Sequence, residues 1–254
     1  MRFPALPALS LSTLALSLVL PAQAQSTDDA AALPAITVNA RGTGEHDKDL
    51  PYTVNVMDGV TLEERRMLNV EQVLRATPGV NVNSSGGANV STIYIRGVGA
   101  LYPMSMDDSS VALNVDGSPL STRHISIGTL DVDQIEVLKG PQGTLFGGMG
   151  EAGAVNLTTR RPTREWEGYA RAEYGQERQF LTEAAVGGPL TDKLAGRFAI
   201  RAGGSDHWIE NARNDQPLSK PRDLAFRGSL LWDLTSRTSA LVSVSYTHLR
   251  AHET

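Results

Sequence analysis

The sequence predicts an α+β domain followed by the first ~5 antiparallel strands of a truncated transmembrane β-barrel. Three observations carry that reading. Residues 132–147, V-D-Q-I-E-V-L-K-G-P-Q-G-T-L-F-G, form a β-prone run entering a glycine loop, and A-V-N-L-T-T at 154–159 is a second β-prone run leaving it. From Trp166 onward apolar and polar residues alternate with the period of two of a half-buried strand. The connections between those alternating runs differ in kind. Residues 187–193 and 233–238 are tight, whereas 203–222 is long, polar and contains Pro217 and Pro221, the asymmetry shown by barrels with short turns on one side of a membrane.

Composition narrows the function classes. With 41% hydrophobic and 20% charged residues over 254 positions, the chain is globular in character and long enough for one large domain or two. Its 23 basic and 28 acidic residues leave a net charge of −5, which argues against nucleic acid as a partner. There is no cysteine, so disulfide scaffolds, thiolate metal sites and thiol catalysis are excluded. Beyond the first 20 residues no apolar run approaches the ~20 of a spanning helix, although alternating strands escape such a test.

The elements follow in order. Arg2, the apolar run 6–20 and Ala22-Gln23-Ala24 make residues 1–24 an export signal peptide. Residues 25–49 read as a flexible leader holding a β-prone segment, L-P-A-I-T-V-N-A at 33–40. Without a sheet partner in its own neighbourhood, that segment has edges open to strand addition by another protein, and the same pattern suits an ordinary first strand. The α+β domain spans 50–163: residues 52–56 alternate as a strand, Thr61 and Glu64 fit a capping box, and Asn69 fits a second cap for a helix through Arg75, which Pro78 stops. Strands are expected at 80–82, 91–97 and 111–117, the last ending in the turn pair Asp116-Gly117. Residues 164–246 are the barrel part. Leu194, Phe198 and Ile200 oppose Arg197 and Arg201; Leu224, Phe226, Leu230 and Trp232 oppose Arg227 and Ser229; Ala240, Val242 and Val244 oppose Ser243; residues 180–186 fit more weakly.

Pro78-Gly79-Val80, Ile95-Arg96-Gly97-Val98-Gly99, Val115-Asp116-Gly117 and the 132–147 run, in that order, resemble the plug domain of TonB-dependent outer-membrane receptors. The resemblance makes 50–163 an α+β plug domain, and 33–40 is similar to the TonB box, with Ala35, Ile36, Thr37, Val38, Asn39 and Ala40 as the TonB-binding residues. It implies a bacterial outer-membrane protein, not an enzyme, that imports a ferric siderophore or similar large, scarce nutrient. Its partners would be TonB with its inner-membrane energising complex, outer-membrane lipid and the ligand; no cofactor is implied. By the same analogy Asn83, Ser84, Tyr102, Met104 and Met106 are substrate-contact candidates, and Arg96, Glu136 and Lys139 are expected to hold the plug to the barrel interior. A ligand-sensing or adhesion protein without transport, or a soluble periplasmic binding protein, are the alternatives. Plugged outer-membrane transporters have about 22 strands, so the chain reads as an N-terminal fragment. Its last residues, 244–254, look like a translated sequencing adapter, with a natural loop as the alternative, so His248 and His252 are set aside from any site.

Other motifs carry less. G-M-G-E-A-G at 148–153 satisfies a dinucleotide-binding pattern but precedes a strand where a helix N-terminus is needed. The loop at 140–144 lacks the Lys-Ser/Thr of a phosphate loop. Asp131, Asp133 and Glu136 are expected to be solvated strand-end charges. His46, His124 and His207 have no metal-ligand spacing, and no serine sits in a nucleophile elbow.

Overall fold

The computed structural model describes residues 37–38, 45–46, 52–85, 90–99, 109–122, 125–205 and 222–250. All of these belong to one compact unit, 35–254. The expected signal peptide lies outside the described residues. So do Ala35, Ile36, Asn39 and Ala40 of the box-like segment.

The first described pairing corrects an expectation. β1 (Thr37–Val38) pairs antiparallel with β2 (Glu45–His46), so the box-like segment has a local partner after all. The α+β domain then begins with β3 (Thr53–Asp58) and α1 (Gly59–Glu64). Asp58, not Thr61, caps α1: its Oδ1 accepts from the Thr61 backbone N–H at 2.8 Å. Hydrogen bonds from Thr61 hold the Asp58 carboxyl below the usual range. The capping box therefore sits one turn too late, because a good cap at position 58 pre-empts it.

α2 (Val70–Ala76) matches its sequence signals closely. Asn69 Oδ1 accepts from Gln72 N at 2.9 Å, Glu71 and Arg75 pair one turn apart, and Thr77 ends the helix in extended geometry just before Pro78. The i, i+3, i+4 spacing of Val70, Val73 and Leu74 puts all three on one buried face. They pack on Ile135, Val137, Val155 and Leu157, which form the core face of the plug sheet.

That sheet contains β3, β6 (Val111–Val115), β7 (Ser118–Leu120), β8 (Val132–Lys139) and β9 (Gly153–Thr159) in the order β3-β8-β9-β6-β7. Only β6 and β9 run parallel. A separate hairpin, β4 (Val80–Ser85) with β5 (Val90–Ile95), contributes Val82, Ile93 and Ile95 to the same core. Between β8 and β9 the glycine segment is more ordered than a plain loop: it contains a one-turn helix α3 (Gly143–Phe146) and a 3₁₀ turn, Gly147–Gly150.

The second sheet is a simple antiparallel meander: β10 (Glu167–Tyr174), β11 (Phe180–Thr191), β12 (Leu194–Gly204), β13 (Arg222–Thr235) and β14 (Thr238–Arg250). β11 is longer than the sequence suggests and leaves only Asp192 and Lys193 as the turn; a register shift near Pro189 absorbs the proline. β14 continues through the questioned tail as far as Arg250, with Tyr246 stacked on Phe226 at 4.9 Å. Alternation separates the two faces. Glu183, Arg197, Arg201 and Arg227 are buried against the plug, whereas Phe198, Ile200, Phe226, Leu230 and Trp232 are exposed on the other side. An exposed apolar face backed by a polar inner face is the pattern of a lipid-facing barrel wall. Among the described residues no helix is long and apolar enough to cross a membrane, which does not bear on strands.

Gly153 opens β9 at φ +156, where an added Cβ would overlap the Leu138 carbonyl oxygen. Gly153→Ala is expected to destabilise the plug by more than about 1 kcal/mol, read as a lower urea midpoint, because the backbone clash adds to the strain of a positive φ. An unchanged midpoint would show that the β8–β9 junction relaxes freely.

Candidate functional site

The functional geometry lies in the seam between the plug and the inner face of the second sheet. Arg197, Arg201 and Arg227 come from neighbouring strands. The register sets Ala199 against Arg227 and Arg201 against Ala225, so the three guanidinium groups point to one side. Arg197 and Arg227 find their targets on the plug turn that leads into β8, and Arg201 reaches the loop after α1. Arg197 Nε and Nη2 donate to the two carboxylate oxygens of Asp131, each at 2.6 Å, and its Nη1 donates to Glu167 Oε1 at 2.6 Å. The side chains of Arg197 and Asp131 are 3% and 1% exposed, so the bidentate geometry must offset a substantial desolvation cost.

Arg227 Nη1 donates to the Leu130 carbonyl at 2.6 Å and to that of Asp131 at 3.4 Å, while its Nε reaches Ser245 Oγ at 2.8 Å. Arg201 Nη1 donates to the Leu68 carbonyl at 3.2 Å and its Nε to Asp223. Its guanidinium lies against Gly128, where a Cβ would overlap it. The turn itself is fastened inside the plug. Thr129 N donates to Leu68 O, Thr129 Oγ1 to Met67 O at 2.6 Å, and Asp131 adopts φ +52, a left-handed conformation uncommon outside glycine.

Further ties are more open. Arg66 pairs with Glu173 of the wall at 2.5 Å, and within the plug Arg160 pairs with Glu63 at 3.4 Å. On the wall, Tyr169 Oη donates to Glu183 Oε1 at 2.6 Å and Arg171 Nη2 to Glu183 Oε2 at 3.1 Å. The apolar part of the seam is small: Leu130 packs with Ala185, Ala199 and Ala225, flanked by Tyr169. Beside it a polar cavity of about 910 Å³ runs between Asp116, Asp133 and Asn156 on the plug and Glu167 and Tyr169 on the wall.

The residues expected to hold plug to barrel have partners within the plug. Arg96 Nη2 donates to Thr53 Oγ1 at 2.8 Å. Lys139 Nζ donates to the Pro78 carbonyl at 2.6 Å; burial, reinforced by nearby Arg96, pushes its pKa down. Glu136 is fully buried and accepts from Gln134 at 2.6 Å and Asn156 at 3.2 Å. The expectation that Asp131 and Glu136 are solvated is therefore corrected, and Asp133 alone of the three is exposed. Two inward arginines on one strand signal a buried acceptor, but nothing local to them points to Asp131.

Asn83 is exposed and lines a second cavity of about 530 Å³ with Tyr94 and Arg96. Ser84 pairs with Ser91 through its backbone. Tyr102, Met104 and Met106, together with His124, His207 and His252, lie outside the described residues. Among the described residues no group of three or more His, Cys, Asp or Glu could hold a metal ion.

Comparison with known proteins decides the family of this architecture. The family model described as TonB-dependent Receptor Plug Domain matches residues 46–154. The chain carries a TonB-dependent receptor plug. Its curated relatives include the pesticin receptor of Yersinia pestis, 33% identical over 140 residues (55% of this chain, 20% of the relative), and the iron-regulated outer membrane virulence protein of Vibrio cholerae, 30% identical over 191 residues (71% and 29%). The fold matches the pyoverdine outer membrane receptor of Pseudomonas aeruginosa with a TM-score of 0.71 at 22% identity, covering 85% of this chain and 30% of that one. The chain thus spans between about a fifth and a third of the length of these relatives. In this frame the first sheet with its helices is the plug and the meander is barrel wall.

The lowered pKa of Lys139 has a testable consequence. A base whose folded-state pKa is depressed costs stability while it is charged in both states, and that cost fades as pH rises through the folded pKa towards the unfolded value of about 10.4. Plug stability in urea should therefore rise, relative to Lys139→Met, as the pH is taken upward through this window. Parallel pH profiles for the two proteins would show that burial does not perturb Lys139.

Proposed function

We propose that this chain belongs to an energised outer-membrane importer of a ferric siderophore or a similarly large, scarce nutrient. The observation that carries the reading is the character of the plug–wall seam. Its contacts are mainly ion pairs and hydrogen bonds, with Leu130 as the apolar element among the described residues. A broad apolar interface would hold a plug in place permanently, whereas polar contacts can be exchanged for water without exposing a large apolar area. Such a plug seals the wall at rest and can still be moved.

The other parts follow from this reading. The exposed face carrying Phe198, Ile200, Leu230 and Trp232 would meet outer-membrane lipid. The segment 35–40 would offer a strand edge to TonB, which would transmit force from the inner membrane. Asn83, Ser84, Tyr102, Met104 and Met106 would lie on the ligand side. Arg96 and Lys139, two neighbouring cations, would gain an inward carboxylate of the barrel as a further partner, as would befit a plug–barrel contact, and Glu136 lies buried in the same sheet as Lys139. The names of the relatives support the substrate class: a pyoverdine receptor and a ferrioxamine B receptor stand among them.

Deletion of the gene should abolish protonophore-sensitive uptake of at least one ⁵⁵Fe chelate from a panel of hydroxamate, catecholate and mixed-ligand siderophores, with the other chelates unaffected. Unchanged uptake across the whole panel counts against import of iron chelates. Retained surface binding without any energised uptake in the wild type would point to ligand sensing.

A further inference from the structure

The buried ties between plug and wall come from strands near the start of the wall. Arg197 and Arg201 stand on β12 and Arg227 on β13, while Leu130 packs on Ala185 of β11, Ala199 of β12 and Ala225 of β13. Their burial is already complete in a wall of five strands: Leu130, Asp131, Arg197, Arg201 and Arg227 are between 2% and 6% exposed. The Asp131–Arg197 pair is thus desolvated, and supplied with its compensating hydrogen bonds, without any later strand. The path between the two sheets is also short. Residues 160–166 join β9 to β10, and the register sets Val132, directly after the docking turn, against Thr159 at the end of β9. Arg160 N donates to the Asp131 carbonyl at 3.1 Å, and its guanidinium lies over the Tyr169 ring at 5.5 Å. The docking turn therefore lies where the chain leaves the plug for the wall. Arg197 meets Asp131 across 66 positions and Arg227 meets Leu130 across 97, spans over which loop-closure entropy rises only slowly.

We infer that the plug docks on strands β11 to β13 before the barrel closes, so that the remaining wall is laid down around a plug already in place. An open sheet admits the folded plug from the side, and the two polar faces meet while both are still in water. A closed barrel would have to admit the same folded domain through its mouth. Water would then have to leave Asp131 and three inward arginines inside a confined space. An open sheet edge is not tolerated in bilayer hydrocarbon, so this docking precedes full insertion. The inference concerns how the receptor is assembled, and it does not depend on which ligand is imported or on whether one is.

In the whole receptor, Leu130→Cys and Ala199→Cys place thiols on either side of the contact without altering Asp131 or the arginines. Pulse-labelled cells would be treated at intervals with a short bifunctional thiol reagent, with closure of the barrel read as resistance to SDS without heating. Bridged molecules are expected first in the SDS-sensitive fraction, before SDS resistance appears. Bridging found only in SDS-resistant molecules overturns the inference. A second measurement does not depend on assembly of that double variant: the 254-residue chain itself, which has no native cysteine, carries Leu130→Cys alone in detergent micelles. Its thiol is expected to label at least about tenfold more slowly than in denaturing urea, and Asp131→Ala with Arg227→Ala should restore most of the lost rate. Labelling at the denatured rate before those substitutions overturns the inference. Slow labelling that persists after them shows shielding within the plug alone, and overturns it as well.

Discussion

Arg197 and Asp131 form the contact on which the joining of the two sheets depends. Both side chains are almost wholly removed from solvent, and neither charge could stay there alone. Two bonds of 2.6 Å and a third from Arg197 to Glu167 together replace water that the ions have lost. Removing one partner from such a pair typically costs about 3–5 kcal/mol, a large part of the stability of an ordinary domain. The pair also fixes geometry. A bidentate fork admits few orientations, so it sets where the plug turn sits along β12.

From that point the rest of the architecture can be traced outward. The period of two on β12 and β13 presents arginines to the plug and Phe198, Ile200, Phe226 and Leu230 to the opposite side. Small residues make the close approach possible: Gly128 leaves space for the Arg201 guanidinium, and Ala185, Ala199 and Ala225 receive Leu130. On the plug side, the turn at Asp131 feeds β8, and β8 carries Ile135 and Val137 into the core on which α2 packs. The plug core is therefore apolar and conventional, and its attachment to the wall is polar and local. That division suits a domain that has to remain folded in part while its contacts with the surrounding wall change.

Much of this was legible in the sequence because local rules governed it. The alternation after Trp166, the Asn69 cap, the stop at Pro78 and the turn at Asp116-Gly117 each rest on residues close together in the chain. The inner-face arginines were legible too, as a set sharing one parity. Their partner was not. Asp131 lies 66 positions before Arg197 and sits at a positive φ that no residue type announces, so it looked like a solvated strand end. Lys139 and Arg96 stand out in the sequence as charges at the ends of strands, yet their partners, the Pro78 carbonyl and Thr53, depend on how β3 and the β4–β5 hairpin pack around β8. The partner of β1 was missed for a different reason: a two-residue strand is too short to show a period.

A double-mutant cycle on Asp131 and Arg197 tests the central claim most directly. Asp131→Ala, Arg197→Ala and the double variant would be compared with the unmodified protein by the urea dependence of thiol labelling at a reporter cysteine in the seam. If the pair joins plug to wall, each single substitution should release the plug at lower urea, and the two should couple by about 2 kcal/mol or more, the double variant being far less damaged than the sum. Strictly additive losses, or single variants that hold the plug as firmly as the parent, would contradict the account.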